Sequence, residues 1–324
     1  MSAIGLGCMG MSDLYGPAVE AASIETVQAA LDAEITLFDS ADFYGSGHNE
    51  LLLRRALQGR KREEYVVSIK FGALRDPRGG WLGVDARPAA IKNFLAYTLR
   101  RLGIDYVDIY RPTRLDPKVP VEETVGAMGE MVTAGHLKHV GLSEVGAETL
   151  RRAQAVHPIS DLQIEYSLFS RGIEREILPT CRQLGIGVTA YGVLSRGLLS
   201  GYWTKERQVR DFRGILPRFQ GENLERNLAL VERLRGFAER RGATVAQVAL
   251  AWVLSRGTEV VPLVGARRVD QLTESLKAVE LDLTSQDLAE IERLVPADAA
   301  AGARYDERGM AVLDSERSVQ AQRG

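Results

Sequence analysis

Thr36-Leu37-Phe38-Asp39-Ser40-Ala41-Asp42-Phe43-Tyr44-Gly45 begins as a buried strand and ends as a polar loop. The apolar lead-in followed by Asp39 and then Tyr44 predicts a short strand that delivers a carboxylate and a phenol where burial stops. The next run, Tyr65-Val66-Val67-Ser68-Ile69-Lys70-Phe71, is rich in Val and Ile and carries an ammonium at its far end, just before Gly72. A carboxylate and an ammonium at the C-terminal ends of two successive strands can pair beside a tyrosine and acidify its phenol. Taken singly, Asp39 fits a turn cap, Tyr44 a rim aromatic and Lys70 a strand-end charge reaching water. Their shared placement at strand ends favours a site.

Six more apolar runs accompany these two, at 4–9, 106–110, 139–143, 162–166, 187–191 and 260–264. Helical patterns, with apolar residues three and four apart, fill 22–33, 49–57, 88–102, 121–133, 147–156, 173–184, 224–241 and 269–278. Strands buried on both faces lose polar alternation, so eight such runs alternating with helices predict an α/β chain closed into one parallel (β/α)8 TIM barrel. The barrel is expected to be a single domain over 1–324, with a long loop after the seventh strand and a tail over 296–324. An open doubly wound sheet is the alternative that the pattern leaves in place.

With 324 residues, 45% hydrophobic and 26% charged, the composition is that of a globular protein. A net charge of −2 gives no reason to expect nucleic acid or an anionic membrane as partner. No signal peptide or membrane-spanning run is evident, so a cytoplasmic location is the expectation. Cys8 and Cys181 lie far apart, and His48, His136, His139 and His157 show no ligand spacing, so structural thiols and no metal site are expected.

Gly5-Leu6-Gly7-Cys8-Met9-Gly10 matches the dinucleotide fingerprint G-x-G-x-x-G, with Asp32 about twenty residues on. The context does not fit. Only four residues precede Gly5, and Met11-Ser12-Asp13-Leu14-Tyr15-Gly16-Pro17 is turn chemistry, not the first turn of a helix. A dehydrogenase built on that motif is therefore a minor alternative, and the glycines read as a first strand lying close to its neighbours.

In a parallel barrel the chemistry gathers at the C-terminal strand ends. Those ends carry Asp39 and Tyr44, then Lys70, then Pro112, Thr113, Arg114 and Asp116, then Ser143-Glu144, Gln163 and Tyr166, Tyr191, and finally Gly265-Ala266-Arg267-Arg268. Ser143 and Gln163 suit a ligand amide, Tyr191 offers a flat face, and the two arginines at a helix start suit a phosphate.

Several strings, in order, make the chain similar to aldo-keto reductases over nearly its whole length. They are Phe38-Asp39-Ser40-Ala41-Asp42-Phe43-Tyr44-Gly45, Ser68-Ile69-Lys70-Phe71-Gly72, Gly141-Leu142-Ser143-Glu144, Gln163-Ile164-Glu165-Tyr166-Ser167, Ala190-Tyr191-Gly192-Val193-Leu194-Ser195-Arg196-Gly197 and Val261-Pro262-Leu263-Val264-Gly265. The branch it most resembles includes pyridoxal reductase-like and perakine reductase-like enzymes. The resemblance implies a (β/α)8 barrel that binds NADPH or NADP+ without a Rossmann domain and reduces a small-molecule carbonyl substrate. It implies Tyr44 as proton donor, Lys70 and Asp39 as its tuning pair, Ser143 and Gln163 on the carboxamide, Tyr191 against the nicotinamide, and Arg267 and Arg268 near the 2′-phosphate. Gly7, Met9, Asp39, Glu144, Gly192, Val193, Leu194, Arg196, Gly265 and Gln271 are the further cofactor contacts it implies. A NADPH-binding regulatory subunit of the potassium-channel type is the alternative within the same family.

Departures from the family pattern carry their own expectations. Thr113 stands where the family's fourth catalytic residue, a histidine, usually lies, which predicts a roomier pocket accepting bulky ketones as well as aldehydes, and a proton relay through Thr113 or a water. Glu144 replaces a frequent asparagine, Ala266 a hydroxyl residue, and Gln271 a frequent arginine. The hairpin that normally floors the barrel is missing ahead of the first strand, so either the start is truncated or the floor is covered otherwise.

Overall fold

The computed structural model describes residues 1–12 and 14–317. In chain order the strands are β1 (Gly5–Gly7), β2 (Leu37–Ala41), β3 (Val66–Phe71), β4 (Ala73–Arg75), β5 (Trp81–Val84), β6 (Val107–Pro112), β7 (Leu137–Ser143), β8 (Ile159–Glu165), β9 (Gly187–Tyr191) and β10 (Val260–Gly265). Eight of them form a closed parallel barrel in the order β1, β2, β3, β6, β7, β8, β9, β10, with β10 returning to β1. The predicted barrel is therefore the fold, and the open sheet is not. β4 and β5 make a separate antiparallel hairpin that the apolar pattern did not signal, since Trp81 and Leu82 are exposed.

Around the barrel run α1 (Glu20–Asp32), α2 (His48–Ala56), α3 (Pro88–Leu102), α4 (Val121–Thr133), α5 (Ala147–Val156), α6 (Ile177–Leu184), α7 (Gly221–Arg240), α8 (Val245–Leu254), α9 (Val269–Leu276), α10 (Ser285–Leu294) and α11 (Glu307–Ala311). The helix expected over 173–184 is interrupted: a 3-10 turn at Gly172–Glu174 precedes α6. Pro88 starts α3, where a missing N–H costs nothing, and Gly103 in the left-handed conformation ends it. α8 was not expected, because nine of its ten residues are buried and no polar face marks a helical period. Its start is nevertheless written in the sequence, as a capping box in which Thr244 and Gln247 bond each other's backbone N–H groups.

The first glycine motif turns out to be packing. After β1 the chain makes a 3-10 turn over Met9–Met11, with no helix opening there. A Cβ on Gly5 would stand 2.7 Å from Leu263 Cδ2 and 2.8 Å from Leu37 Cδ2, so a side chain here would have to displace two leucines packed against β1. Leu37, Val261 and Leu263 form a small buried cluster at this level, and Ser2 exchanges hydrogen bonds with Thr36 beside it. Cys8 and Cys181 are both buried and unbridged. Among the described residues no helix is long and apolar enough to cross a membrane.

Candidate active site

Register places the first site residues side by side. Asp39 on β2 is level with Gly7 on β1 and Ser68 on β3, and Lys70 on β3 is level with Arg111 on β6. Alternate residues of these strands face the barrel interior, so polar side chains meet there. Lys70 Nζ donates to Asp39 Oδ1 at 2.6 Å and to the Ser40 carbonyl at 2.9 Å. Asp39 Oδ2 accepts from Ser68 Oγ at 2.9 Å, Arg111 Nη1 at 3.2 Å and Gln163 Nε2 at 2.6 Å. Tyr44 is buried in the loop after β2, with the Lys70 ammonium 5.1 Å from its ring centre. Asp39, Tyr44 and Lys70 are thus brought together.

The expected acidified phenol is not what this arrangement holds. Burial, then the Asp39 carboxylate and the neighbouring Tyr305 and Tyr15, push the Tyr44 phenol well above its ordinary range, and Arg114 is the cation that draws it back. Lys70 is committed to Asp39, which largely offsets its charge. Burial draws the Lys70 ammonium below the usual lysine value, with Asp39 opposing and Arg111 adding to the effect. Thr113 is buried in the segment after β6, and its hydroxyl donates to the Phe71 carbonyl at 2.9 Å, so the proton expected to enter a relay is held by backbone.

Asp42, between the carboxylate and the phenol, gives a pH handle. Burial and the nearby Glu50 raise its carboxyl from 3.8 to about 7. In the folded protein it keeps its proton up to about pH 7, whereas the unfolded chain loses it near 4. The folded state then binds more protons over that interval, and stability falls as pH rises through it. Asp42→Asn removes the ionisation, so the melting temperature of the variant relative to the native protein is expected to rise between pH 5 and pH 8. A difference that is flat or falls would show that Asp42 ionises freely.

Below the triad lies a layer that the sequence reading missed. Arg111 is fully buried, with Nη1 on Asp39 and Nη2 2.7 Å from Asp161 Oδ2 on β8. Thr189 donates its hydroxyl to Asp161 Oδ1. Burial pushes the Asp161 carboxyl up, and Arg111 pulls it down. Two cations and two carboxylates are therefore interleaved across the lumen, with Arg111 shared between the aspartates. A charged residue directly adjoining an apolar strand run, as Arg111 and Asp161 are, was the available signal.

The residues expected to hold a cofactor line the ends of β7, β8, β9 and β10. Ser143 and Gln163 are level in the sheet. Ser143 Oγ is buried and has no hydrogen-bond partner among the described residues, and the same is true of Ser195 Oγ in the loop after β9. Buried hydroxyls of this kind are costly unless something completes them. Gln163 gives its amide N–H to Asp39, and among the described residues nothing donates to its Oε1. Ser195 and Arg196 sit at φ 46° and 55°, left-handed backbone that is strained for non-glycine residues and typical of ligand loops. This end of the site fits a ligand carrying an amide and polar oxygens, as a nicotinamide nucleotide does.

Other expected contacts are engaged within the chain. Arg268 makes a paired contact with Asp270, at 2.9 and 2.7 Å, on the surface. Arg267 donates to the carbonyls of Tyr15 and Pro17, and Gln271 Oε1 accepts from the Arg267 backbone N–H. Gly265 ends β10, and Met9 lies in the turn after β1. Gly192, at φ 65°, packs on Glu165, where a Cβ would stand 3.1 Å from Glu165 Cγ, and the chain continues through Val193 and Leu194 to Arg196.

The mouth is finished by distant chain segments. Arg304 donates to Glu144 at 2.5 and 2.8 Å, and Ser315 Oγ and Tyr191 Oη donate to the same carboxylate, each at 2.7 Å. Burial alone would raise the Glu144 carboxyl, but Arg304, Arg114 and the Tyr191 hydroxyl together hold it well below the usual range. Tyr305 stands 3.0 Å from Tyr191, hydroxyl to hydroxyl, with the Arg196 guanidinium 4.5 Å over its ring. The long loop after β9 packs inward through Arg218, which donates to Ser170 Oγ and the Phe169 carbonyl and pairs with Glu165. Asn227 on α7 clasps the backbone of Ala301 from both sides, which fixes the tail's course. Of the tail, residues 318–324 lie outside the described residues.

A closed parallel barrel whose C-terminal mouth gathers a lysine–aspartate pair, a buried phenol and unpartnered hydroxyls is the arrangement expected of an aldo-keto reductase. The comparisons agree: residues 3–296 match the model of the aldo/keto reductase family, and the chain belongs to that family. It is 41% identical over 308 residues to the probable aldo-keto reductase 1 of Glycine max, an alignment covering 94% of this chain and 88% of the soybean protein. Among solved structures it is similar to the glycerol dehydrogenase AKR11B4 from Gluconobacter oxydans, with a TM-score of 0.84, 30% identity and 91% of each chain covered. It is also similar to a holo form of the aldo-keto reductase AKR11C1 from Bacillus halodurans, with a TM-score of 0.75, 26% identity and 94% of each chain covered.

Proposed function

We propose that this protein reduces an aldehyde or ketone to an alcohol with NADPH, Tyr44 delivering the proton to the carbonyl oxygen. The observation that carries this reading is the convergence of buried Tyr44, the Lys70–Asp39 pair and the unpartnered Ser143 hydroxyl at one end of the barrel. Ser143 and Gln163 would hold the carboxamide, Tyr191 would lie against the nicotinamide, and Arg196 with the left-handed 195–196 backbone would take the phosphates. NADPH, when bound, supplies a hydride. The protein's part is to place the carbonyl oxygen at the Tyr44 hydroxyl and to give up that proton as negative charge grows on the oxygen. A phenol held above its ordinary range stays protonated at neutral pH and is ready to donate. Lys70, kept in place by Asp39, stands beside the ring to stabilise the phenolate left behind. An assay of NADPH and NADH oxidation with a panel of aldehydes and ketones tests the reading. A folded protein that binds NADPH but turns over none of them would instead fit the regulatory-subunit alternative.

Preference for NADPH over NADH is expected to rest on Arg267 and Arg268 at the start of α9. Arg268 must exchange Asp270 for the 2′-phosphate, a trade of one charge-assisted contact for another. The double variant Arg267→Ala, Arg268→Ala is expected to narrow the ratio of NADPH to NADH affinity, read by fluorescence titration, by about tenfold or more. An unchanged ratio would move the 2′-phosphate elsewhere.

A further inference from the structure

Arg304, Arg196, Arg218 and Arg114 bring guanidinium groups to the barrel mouth, and the first three have carboxylate partners. Arg304 pairs with Glu144 and Glu316, Arg196 with Glu165, and Arg218 with Glu165. The fourth is Arg114, half-buried in the segment after β6. It donates to its neighbour's carbonyl, Thr113 O, at 2.6 Å and to the Tyr305 hydroxyl at 3.4 Å, and among the described residues it makes no ion pair. Its charge is felt at the Tyr44 phenol. Glu144 and the neighbouring tyrosines favour its charge from a distance, but no carboxylate sits on its donors, which leaves a guanidinium on which a planar anion can dock. The phosphates of a nucleotide are not that anion on the reading above, because the residues assigned to them come from β9 and β10, while Arg114 follows β6, between the strands that carry Lys70 and Ser143.

We propose that Arg114 receives an anionic group of the substrate, so that the preferred substrates are aldehydes or ketones carrying a carboxylate close to the reacting carbonyl. This rests on the carbonyl-reductase reading and deepens it. The carboxylate docks on the free guanidinium edge and thereby holds the carbonyl oxygen near Tyr44, giving orientation from a group that takes no part in the reaction.

The test compares acids with their own methyl esters, 4-formylbenzoate with methyl 4-formylbenzoate and 4-oxobutanoate with methyl 4-oxobutanoate; the ester removes the charge and makes the carbonyl more electrophilic, so a preference for the acids cannot come from intrinsic reactivity. The native protein is expected to show a kcat/KM at least about tenfold higher for the acids, carried by KM. Arg114→Met should bring that ratio towards one, and Arg114→Lys should keep part of it. No preference for the acids in the native protein overturns the proposal while the carbonyl-reductase reading stands. An Arg114→Met variant that loses acid and ester alike also overturns it, since the arginine then serves Tyr44 or the tail. A protein that reduces none of these compounds, nor any carbonyl in a wider panel, refutes the underlying reading instead. Calorimetric titration with benzoate and benzamide in the presence of NADP+ still decides the role of Arg114 in that case. Benzoate binding that is lost in Arg114→Met supports the proposal, and equal binding of the two probes, or equal loss of both, overturns it.

Discussion

Tyr44→Phe is expected to lower kcat about 10²- to 10⁴-fold, the usual contribution of a positioned general acid, while leaving NADPH affinity close to that of the native protein. The substitution removes one oxygen and keeps the ring that packs edge-on against Phe43 at 4.9 Å, so the loop after β2 has no reason to move. The cofactor contacts assigned above, from Gly7, Met9 and Asp39 and from Ser143 round to α9, do not include the phenol. A fall in kcat with unchanged cofactor titration therefore isolates proton delivery, and the same fall in kcat/KM for several carbonyls marks an interaction made in the transition state. Because burial and Asp39 raise the phenol, activity should not be lost on the alkaline side near neutral pH through deprotonation of free Tyr44. Retention of most activity in Tyr44→Phe would mean that the proton comes from elsewhere, and Thr113, whose hydroxyl is turned to Phe71, would not be the first place to look.

Arg111→Met is expected to cost about 3–5 kcal/mol of stability, the range found when one partner of a buried ion pair is removed. Methionine keeps the apolar stem but not the guanidinium, so the lost packing adds to an effect in which the stranded carboxylates are the main part. Arg111 touches Asp39 and Asp161, both buried, and its removal leaves Asp161 with the Thr189 hydroxyl alone and Asp39 with Lys70 as its one cation. Adding Asp161→Asn should recover part of the loss, because the stranded charge goes with it. Urea denaturation of the two single variants and the double variant reads the coupling directly. If Arg111→Met costs less than about 1 kcal/mol, the pair is no more than a surface-strength contact and the charged layer does not hold the triad.

Much of this architecture is legible in the chain. The eight apolar runs are the eight barrel strands because strands covered on both faces need no polar alternation, and the strand-end residues Asp39, Lys70, Ser143 and Gln163 face one another because parallel strands end on one side. What escaped has physical reasons. α8 is apolar on every side and lacks the period that identifies a surface helix. Arg111 and Asp161 lie on strands that are not adjacent, and only the closed lumen brings them together. Arg304 and Tyr305 meet Glu144 and Tyr191 across more than a hundred residues, through a tail course set by Asn227, and no local spacing encodes such a contact. The direction of the Tyr44 shift also escaped, because a neighbouring lysine acidifies a phenol only if its charge is not already matched, and residue type alone does not say so.

The charged layer beneath the triad also bears on how such a barrel can change over generations. Arg111 passes over Gly141 on β7, where an added Cβ would stand 3.2 Å from its Nε and 3.3 Å from the Asp161 carbonyl. Positions 111, 141 and 161 therefore constrain one another. A side chain at 141 would press on the arginine, and also on Ile109 Cγ2 at 3.2 Å, while losing the arginine first strands Asp161. The least damaging first step is the one that neutralises position 161, after which 111 can vary and the crowding at 141 eases. Three residues on three strands thus form a single heritable unit, and the order of substitution, more than the tolerance of any one site, decides which related barrels this sequence can reach.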